Sequence, residues 1–223
     1  MNAIGNMLLG TRRPAIPYYA VGAKYLADTF IATQTLAVNI PAGSTVIVCT
    51  GTENSGGGAG LSVADNGASG GNTYSMVLDY AASYPGFGSW ASETVSKAAT
   101  SVTVNATAFE ATIVFIIVIV IPFGGTIGAH SLNNNGVTAS ITTTANNSWV
   151  IGLLIYNEDS VHGAWTNTGM GIPILSILTA DYYDTVALVL IESVPSSGTP
   201  KTCSGTFSGS GGFFGVNIIE VKV

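Results

Sequence analysis

The chain has 223 residues and a formal net charge of −6, and only 8% of its residues are Asp, Glu, Lys or Arg, against roughly 25% in an average soluble domain. This length can bury a large core without a metal or disulfide scaffold. Its 6 basic residues are scattered, so they form no patch that would displace counterions from phosphates, which argues against nucleic acid as a partner.

Residues 1–17 are predicted to form an extended N-terminal arm. Pro14 and Pro17 disfavour a place in a central strand, and the apolar residues of the arm need a partner surface. The predicted docking residues are Ile4, Met7, Leu8, Leu9, Arg12 and Arg13. The arginines follow the apolar residues, which is the reverse of a secretory signal. We expect the arm to dock on a neighbouring subunit; a loose terminal tail is the alternative.

The first half of the chain alternates short β-branched runs with glycine-rich turns. Such runs, bounded by Gly, Asn, Ser and Pro, predict strands. The predicted strands cover residues 29–40, 45–50, 61–64, 73–80 and 101–105. Residues 83–90, SYPGFGSW, are predicted to be a loop because glycine and proline interrupt them.

The most apolar run is IVFIIVIVIPF, residues 113–123. It is far shorter than the roughly 20 residues that a membrane-spanning helix requires. Its Ile and Val content favours a strand that is buried on both faces. We therefore expect no membrane insertion.

The second half continues the same pattern. Asn133, Asn134 and Gly136 form a strong turn signal, because Asn and Gly accept positive φ at little cost. Predicted strands cover residues 137–144, 149–156, 186–191, 205–207 and 213–223, with 126–130 as a short strand or a loop and 157–173 as a loop.

This succession of short strands, without a convincing helical period, predicts an all-β fold. The strand spacing and turn chemistry favour a single jelly-roll-like β-sandwich over residues 18–223, preceded by the arm. No linker separates two halves of different composition, so one domain is the expectation.

The ionisable residues predict no enzyme. His130 and His162 lack metal-ligand spacing, and no GxSxG motif marks an activated serine. Cys49 and Cys203 are expected to be buried and inert, although a disulfide between them stays open. The adjacent acids Glu158 and Asp159 suit a solvated turn better than a glycosidase pair. No cofactor is expected.

Asp65 and Asn72 are the one weak candidate for a cation site. They lie in an oxygen-rich glycine loop of the kind that suits calcium, but the regular D-x-D-x-D-G ligand spacing is missing. The prediction is therefore that the chain holds no metal.

The aromatic residues in polar loops are the better binding candidates. Tyr84, Phe87 and Trp90 fall in one predicted loop, and Trp165 falls in another. Rings flanked by Asn, Ser and Thr form platforms for sugars or protein partners. The alternative is that these rings fill the ends of the sandwich.

Five segments resemble jelly-roll-like modules of phage virion proteins and bacterial surface proteins. The segments are LLGTRR at 8–13, VADNG with GNTY between 63 and 74, SVTV at 101–104, TTANNSWVIG at 143–152, and GTFS with VNIIEV between 205 and 221. The likeness covers about residues 28–223, with the arm before it. It implies a non-enzymatic virion component.

From this resemblance we expect a multi-copy structural protein of a phage particle, in its tail, baseplate or head decoration. Its expected partners are further copies of itself, other virion proteins and, through the aromatic loops, a host-surface glycan. Low charge suits repeated subunit contacts, since buried unpaired charges are costly. The alternatives are a carbohydrate-binding module or a weak glycoside hydrolase, and a surface filament subunit.

Overall fold

The structure, a computed structural model, describes residues 17–22, 32–53, 60–80, 86–93, 95, 97–106, 112–122, 124–134, 136–158, 165–171, 173–179, 184–207 and 213–223. Every regular element in these ranges is a β-strand, which confirms the all-β prediction. The described part of the chain contains no helix with the length and hydropathy that crossing a bilayer requires.

Sixteen strands are described, eight in each half of the chain. The first eight are β1 (Tyr18–Gly22), β2 (Thr33–Ile40), β3 (Thr45–Glu53), β4 (Leu61–Asp65), β5 (Ser75–Tyr80), β6 (Gly86–Ser92), β7 (Ala99–Ala106) and β8 (Thr112–Ile121). The second eight are β9 (Thr126–Asn133), β10 (Thr138–Thr142), β11 (Ser148–Glu158), β12 (Trp165–Asn167), β13 (Pro173–Thr179), β14 (Asp184–Val194), β15 (Pro200–Phe207) and β16 (Phe213–Lys222).

The two halves have the same topology. Sheet A has the order β1-β8-β3-β6-β5, and sheet C has β9-β16-β11-β14-β13, which is the same order with every strand number raised by eight. Sheet B, β2-β7-β4, corresponds in the same way to sheet D, β10-β15-β12. In each half the first strand pairs with the eighth, the second with the seventh and the third with the sixth, all antiparallel.

The four sheets form four layers in the order B, A, C, D, and three apolar clusters lie between them. The first cluster joins sheets A and C through residues such as Phe115 and Leu153. The second joins sheets A and B and includes Val104 and Val118. The third joins sheets C and D and includes Leu154 and Cys203. The two five-stranded sheets are thus covered on both faces.

Strand β8 shows why strands of the two central sheets have continuously apolar sequences. Successive side chains of a strand point to opposite faces. Phe115, Ile117 and Ile119 face sheet C, whereas Ile116 and Val118 face sheet B, and all five are fully buried. This confirms the prediction of a strand buried on both faces.

Several strands were not predicted. The predicted loop at 83–90 is wrong from residue 86 onward, because β6 pairs with both β3 and β5. The predicted loop at 157–173 contains β12 at 165–167, which pairs with β15. Strands β1 and β13 were also missed. Long neighbouring strands supply the hydrogen bonds that keep these glycine-rich or short segments extended.

The number of sheets also differs from that of a single sandwich. The described residues form four sheets, and the core between sheets A and C unites residues of both halves. Residues 1–16 lie outside the described ranges, so the division into an arm at 1–17 and a domain at 18–223 stays a prediction.

Candidate functional site

Asp65 and Asn72, the candidate cation ligands, are indeed adjacent at the end of β4. The Asp65 carboxylate accepts hydrogen bonds from the backbone N–H of Gly67 at 3.0 Å and of Asn72 at 2.9 Å. It also accepts from Asn72 Nδ2 at 2.7 Å and from the Tyr74 hydroxyl at 3.0 Å. Burial raises the pKa of Asp65, but these four hydrogen bonds outweigh it, and the pKa is lowered.

The contacts of Asp65 and Asn72 indicate a structural role for this cluster, because the groups that could bind a metal ion are bonded to other residues. The amide nitrogen of Asn72 faces the carboxylate, while its oxygen accepts from the Lys97 N–H at 3.1 Å. The Lys97 ammonium donates to the carbonyls of Ser69 and Gly71 at 3.1 and 2.7 Å. The loop carbonyls that could bind a metal ion are therefore already bonded to the Lys97 ammonium. The role of this cluster is to close the loop between β4 and β5.

The equivalent turn of the second half repeats this local geometry. Asn167 ends β12 as Asp65 ends β4, and its Oδ1 accepts from the N–H of Gly169 at 3.1 Å. Its amide donates to the carbonyls of Met170 and Gly171. An Asx side chain two residues before a glycine therefore closes the same turn in both halves.

The predicted aromatic platform is corrected at Trp90. This residue lies within β6 and is only 4% exposed, so its ring belongs to the interior and not to a surface loop. Phe87 and Trp165 belong to strands β6 and β12, but their side chains lie outside the described residues. Tyr84 and the predicted docking residues Ile4, Met7, Leu8, Leu9, Arg12 and Arg13 lie outside the described residues as well.

The two cysteines are free, and each lies in a different apolar cluster. Burial raises the pKa of Cys49 to about 11, an effect that the Ser89 hydrogen bond opposes, and burial raises the pKa of Cys203 to about 12. A thiol that stays protonated is a poor nucleophile. The expectation of buried cysteines is confirmed, and they form no disulfide with each other.

A short polar chain crosses the core between sheets A and C. Asn217 Nδ2 donates to Ser89 Oγ at 3.2 Å, and Ser89 Oγ donates to Cys49 Sγ at 3.6 Å. All three residues are buried. In the described part of the chain the Asn217 Oδ1 atom has no hydrogen-bond donor. This chain restricts how the two large sheets stack, since a shift would separate its members.

Glu220 is a fully buried acid on β16. Its carboxylate accepts from the backbone N–H groups of Ala129, Thr144 and Ala145 at 2.8–3.1 Å. The hydroxyls of Thr144 and Ser148 donate to it at 2.8 Å. Burial raises its pKa, but these hydrogen bonds outweigh it and lower the pKa to about 2. Every donor is neutral, so this is a structural connection among β16, β9 and the loop before β11.

A groove of about 490 Å³ lies where the edge strands β5 and β9 meet. The groove is lined by Thr73, Ser75, Met76, Val77, Ala91, Glu93, Ile127 and His130. Met76 is 45% exposed, the highest value among the large apolar side chains that are described. The groove thus offers apolar surface together with one carboxylate and one imidazole.

Two contacts define the chemistry of this groove. Glu93 Oε1 accepts from the N–H of Ile127 at 2.8 Å and so connects sheets A and C. A ring nitrogen of His130, Nδ1, lies 3.1 Å from the Gly128 carbonyl. Among the described residues no cation pairs with Glu93, and no group of three metal-ligating side chains occurs.

Sequence reasoning did not find this groove. Met76, Glu93 and His130 come from three segments whose local patterns carry no shared motif. A signal existed for Glu220, an acid inside the alternating run NIIEVKV. Such a residue in an apolar strand is informative because a buried acid needs partners.

The two outermost sheet faces are lined by hydroxyl, amide and methyl groups. On sheet B, Thr35 and Thr103 hydrogen-bond at 2.9 Å, as do Thr33 and Asn105. On sheet D, Ser140 and Thr202 do so at 2.9 Å. None of the described outward side chains of these sheets' strands is charged. Within the described part of the chain, the outer faces of sheets B and D are therefore polar and uncharged.

Comparison with known proteins identifies no relative: no family model, no curated protein and no solved structure matches this chain.

Proposed function

We propose that this chain is a non-enzymatic structural component of a phage particle, present in many copies in its tail, baseplate or head decoration. Its partners are then further copies of the chain and other virion proteins, and its location is the virion. Host-surface adhesion through loops is an additional role within this proposal.

The observation that carries the proposal is the strand order of each half. Pairing of the first strand with the eighth, the second with the seventh and the third with the sixth corresponds to the outer pairs of a nested jelly roll, whereas the fifth strand departs from it, since β5 pairs with β6 and β13 with β14. Jelly rolls are frequent in viral capsid and lectin domains. We therefore propose that the chain consists of two jelly rolls stacked through their five-stranded sheets. A fold alone does not define a function, so the surfaces must support the same conclusion.

The surfaces favour assembly over catalysis. The outer faces of sheets B and D carry no described charge, and an uncharged face avoids the desolvation cost of burying ions at a subunit contact. The described thiols are buried. Among the described acids, the carboxylates of Asp65 and Glu220 accept hydrogen bonds from neutral donors. A protein that forms many identical subunit contacts needs uncharged contact faces more than it needs reactive side chains.

The test measures copy number. Mass photometry of the purified full chain is expected to show discrete assemblies of several copies, and electron microscopy is expected to show their symmetry. Quantitative mass spectrometry of purified phage particles from the same source should find many copies per particle.

Two results would contradict the proposal. One is a chain that stays monomeric at micromolar concentration and is absent from particles. The other is hydrolysis of a polysaccharide that the Glu158→Gln variant no longer carries out, which would favour the glycoside hydrolase alternative.

A further inference from the structure

We infer that the groove between β5 and β9 receives the N-terminal arm, residues 1–17, of a second copy of this chain, with one of the neighbouring residues Arg12 and Arg13, the one that faces the groove, at the Glu93 carboxylate. This inference rests on the proposed function, since it names the contact through which copies associate. The argument uses the open sheet edges, the distribution of charge and the position of the first strand.

Both strands that flank the groove are sheet edges. β5 ends the order of sheet A, and β9 ends the order of sheet C. An edge strand leaves a row of backbone N–H and C=O groups that an added strand can pair with. On β9 the N–H groups of Ile127 and Ala129 already donate to Glu93 and Glu220, so the edge that an added strand would pair with is that of β5. Residues 4–13 contain no proline, so this part of the arm can donate and accept along such an edge. Pro14 then ends the pairing.

The apolar residues of the arm match the apolar part of the groove. Met76, Val77 and Ile127 line it, and Met76 is largely exposed. The arm supplies Ile4, Met7, Leu8 and Leu9, in a chain that is otherwise rich in small polar residues. In an added strand alternate side chains face the groove, so a subset of these four would cover Met76.

The charges are complementary as well. The arm holds two of the six basic residues and no acid, so its formal charge from side chains is +2. The rest of the chain has four basic and twelve acidic residues, a formal charge of −8. No described cation pairs with Glu93, and an arginine binds a carboxylate through two parallel hydrogen bonds.

The position of β1 favours a second copy over the same copy. The arm precedes β1 at one edge of sheet A, whereas the groove lies at β5, the opposite edge. Both faces of sheet A are covered by other sheets, so an arm bound to its own groove would have to pass around a covering sheet. If the β5 edge of a neighbouring copy lies beside the β1 edge of the first copy, the groove of the neighbour lies next to the arm of the first copy. Such a head-to-tail contact builds rings or rows.

The test measures association of the full chain by analytical ultracentrifugation. The R12E/R13E and E93R variants are each expected to weaken association by at least about tenfold, as loss of a close charge pair does. The combined R12E/R13E/E93R variant, which exchanges the charges, is expected to recover most of the affinity. S197R, with its added arginine in an exposed turn, is the control and should associate like the wild type.

Cysteine trapping distinguishes the occupants. Chains carrying R13C are mixed with chains carrying E93C under oxidising conditions, while the native cysteines are buried. A disulfide-linked dimer supports the inference. A third sample is the chain that carries both R13C and E93C. If the mixed chains form no dimer and this double variant forms a disulfide within one chain, the arm binds its own groove and the inference is wrong.

The remaining outcomes separate this inference from the proposed function. Wild-type assemblies that persist unchanged in R12E/R13E and E93R overturn the arm contact alone. A wild-type chain that is monomeric at every concentration overturns both.

Discussion

Glu220 illustrates how a single acidic residue is kept charged inside an apolar protein. Its carboxylate is fully buried, and neutral N–H and O–H donors from β9, the loop before β11 and β11 itself surround it. Gly128 makes this approach feasible, because a Cβ atom there would lie 2.2 Å from Glu220 Oε2. One side chain of β16 thus connects two other segments, β9 and the start of β11 with the loop before it.

Replacing this carboxylate is expected to destabilise the fold. In E220Q the side-chain NH2 group would face backbone N–H and hydroxyl groups that are themselves donors. We therefore expect the free energy of unfolding to fall by about 3 kcal/mol, as for a buried group left without its hydrogen bond. Urea unfolding followed by circular dichroism measures this. E192Q is the matched control, since Glu192 forms a partly exposed ion pair with Lys201 that is worth about 1 kcal/mol or less.

The pH dependence of this effect has a definite sign. The pKa of Glu220 is about 2 in the folded protein against an ordinary value of 4.5. A lowered folded pKa contributes stability above pH 4.5, and this contribution is lost as pH falls toward 2. The stability difference between wild type and E220Q should therefore be greatest above pH 4.5 and shrink below it. A difference that is constant from pH 7 to pH 2 would contradict this account.

At the scale of elements, the central strands depend on close packing across the layers. In β11, Gly152 faces sheet D between Cys203 and Met170, and a Cβ atom there would lie 2.6 Å from Cys203 Sγ and 2.9 Å from Met170 Sδ. A residue without a side chain is therefore required at this point. The alternation of inward and outward residues along β11 leaves no other direction for the added atom.

Adding a methyl group at this strand position should be costly. We expect G152A to lower the unfolding free energy by about 1–3 kcal/mol, as overpacking of a core does. G171A is the control, because nothing lies within 4 Å of a Cβ atom there. The G152A/C203A double variant should lose less than the sum of the single losses, since the smaller side chain makes room. Strict additivity would show that the strain lies elsewhere.

The elements differ in how far local sequence could predict them. β8 was predicted almost to its ends, because a run of β-branched residues favours a strand whatever its neighbours. β6, GFGSWAS, was not, because its glycines carry a turn signal that only pairing with β3 and β5 overcomes. Trp90 was therefore predicted on the surface although it is buried.

At the scale of the whole molecule, the core between sheets A and C joins the two halves. Residues from β3, β6 and β8 meet residues from β11, β14 and β16 there. The hydrogen-bonded chain from Cys49 through Ser89 to Asn217 and the contact between Glu93 and Ile127 cross the same boundary. Neither half is covered on this face without the other.

The halves are therefore expected to unfold together. L153A, which shortens a buried residue of the second half, should cost about 3 kcal/mol and lower the melting temperature by about 6–12 °C. Single-tryptophan variants that retain Trp90 in the first half or Trp149 in the second should report the same midpoint, with or without L153A. Two separate midpoints would show that the halves are independent.

The sequence by itself determined the strand-forming character of this protein, the double burial of β8 and the scarcity of reactive groups, because these depend on local propensity, alternation and composition. Only the tertiary structure decided that eight strands are followed by eight in the same order, that the two large sheets face each other, and that Met76, Glu93 and His130 meet in one groove. The physical reason is that hydrogen-bond pairing and face-to-face packing join residues far apart in the chain. No local pattern records such partners.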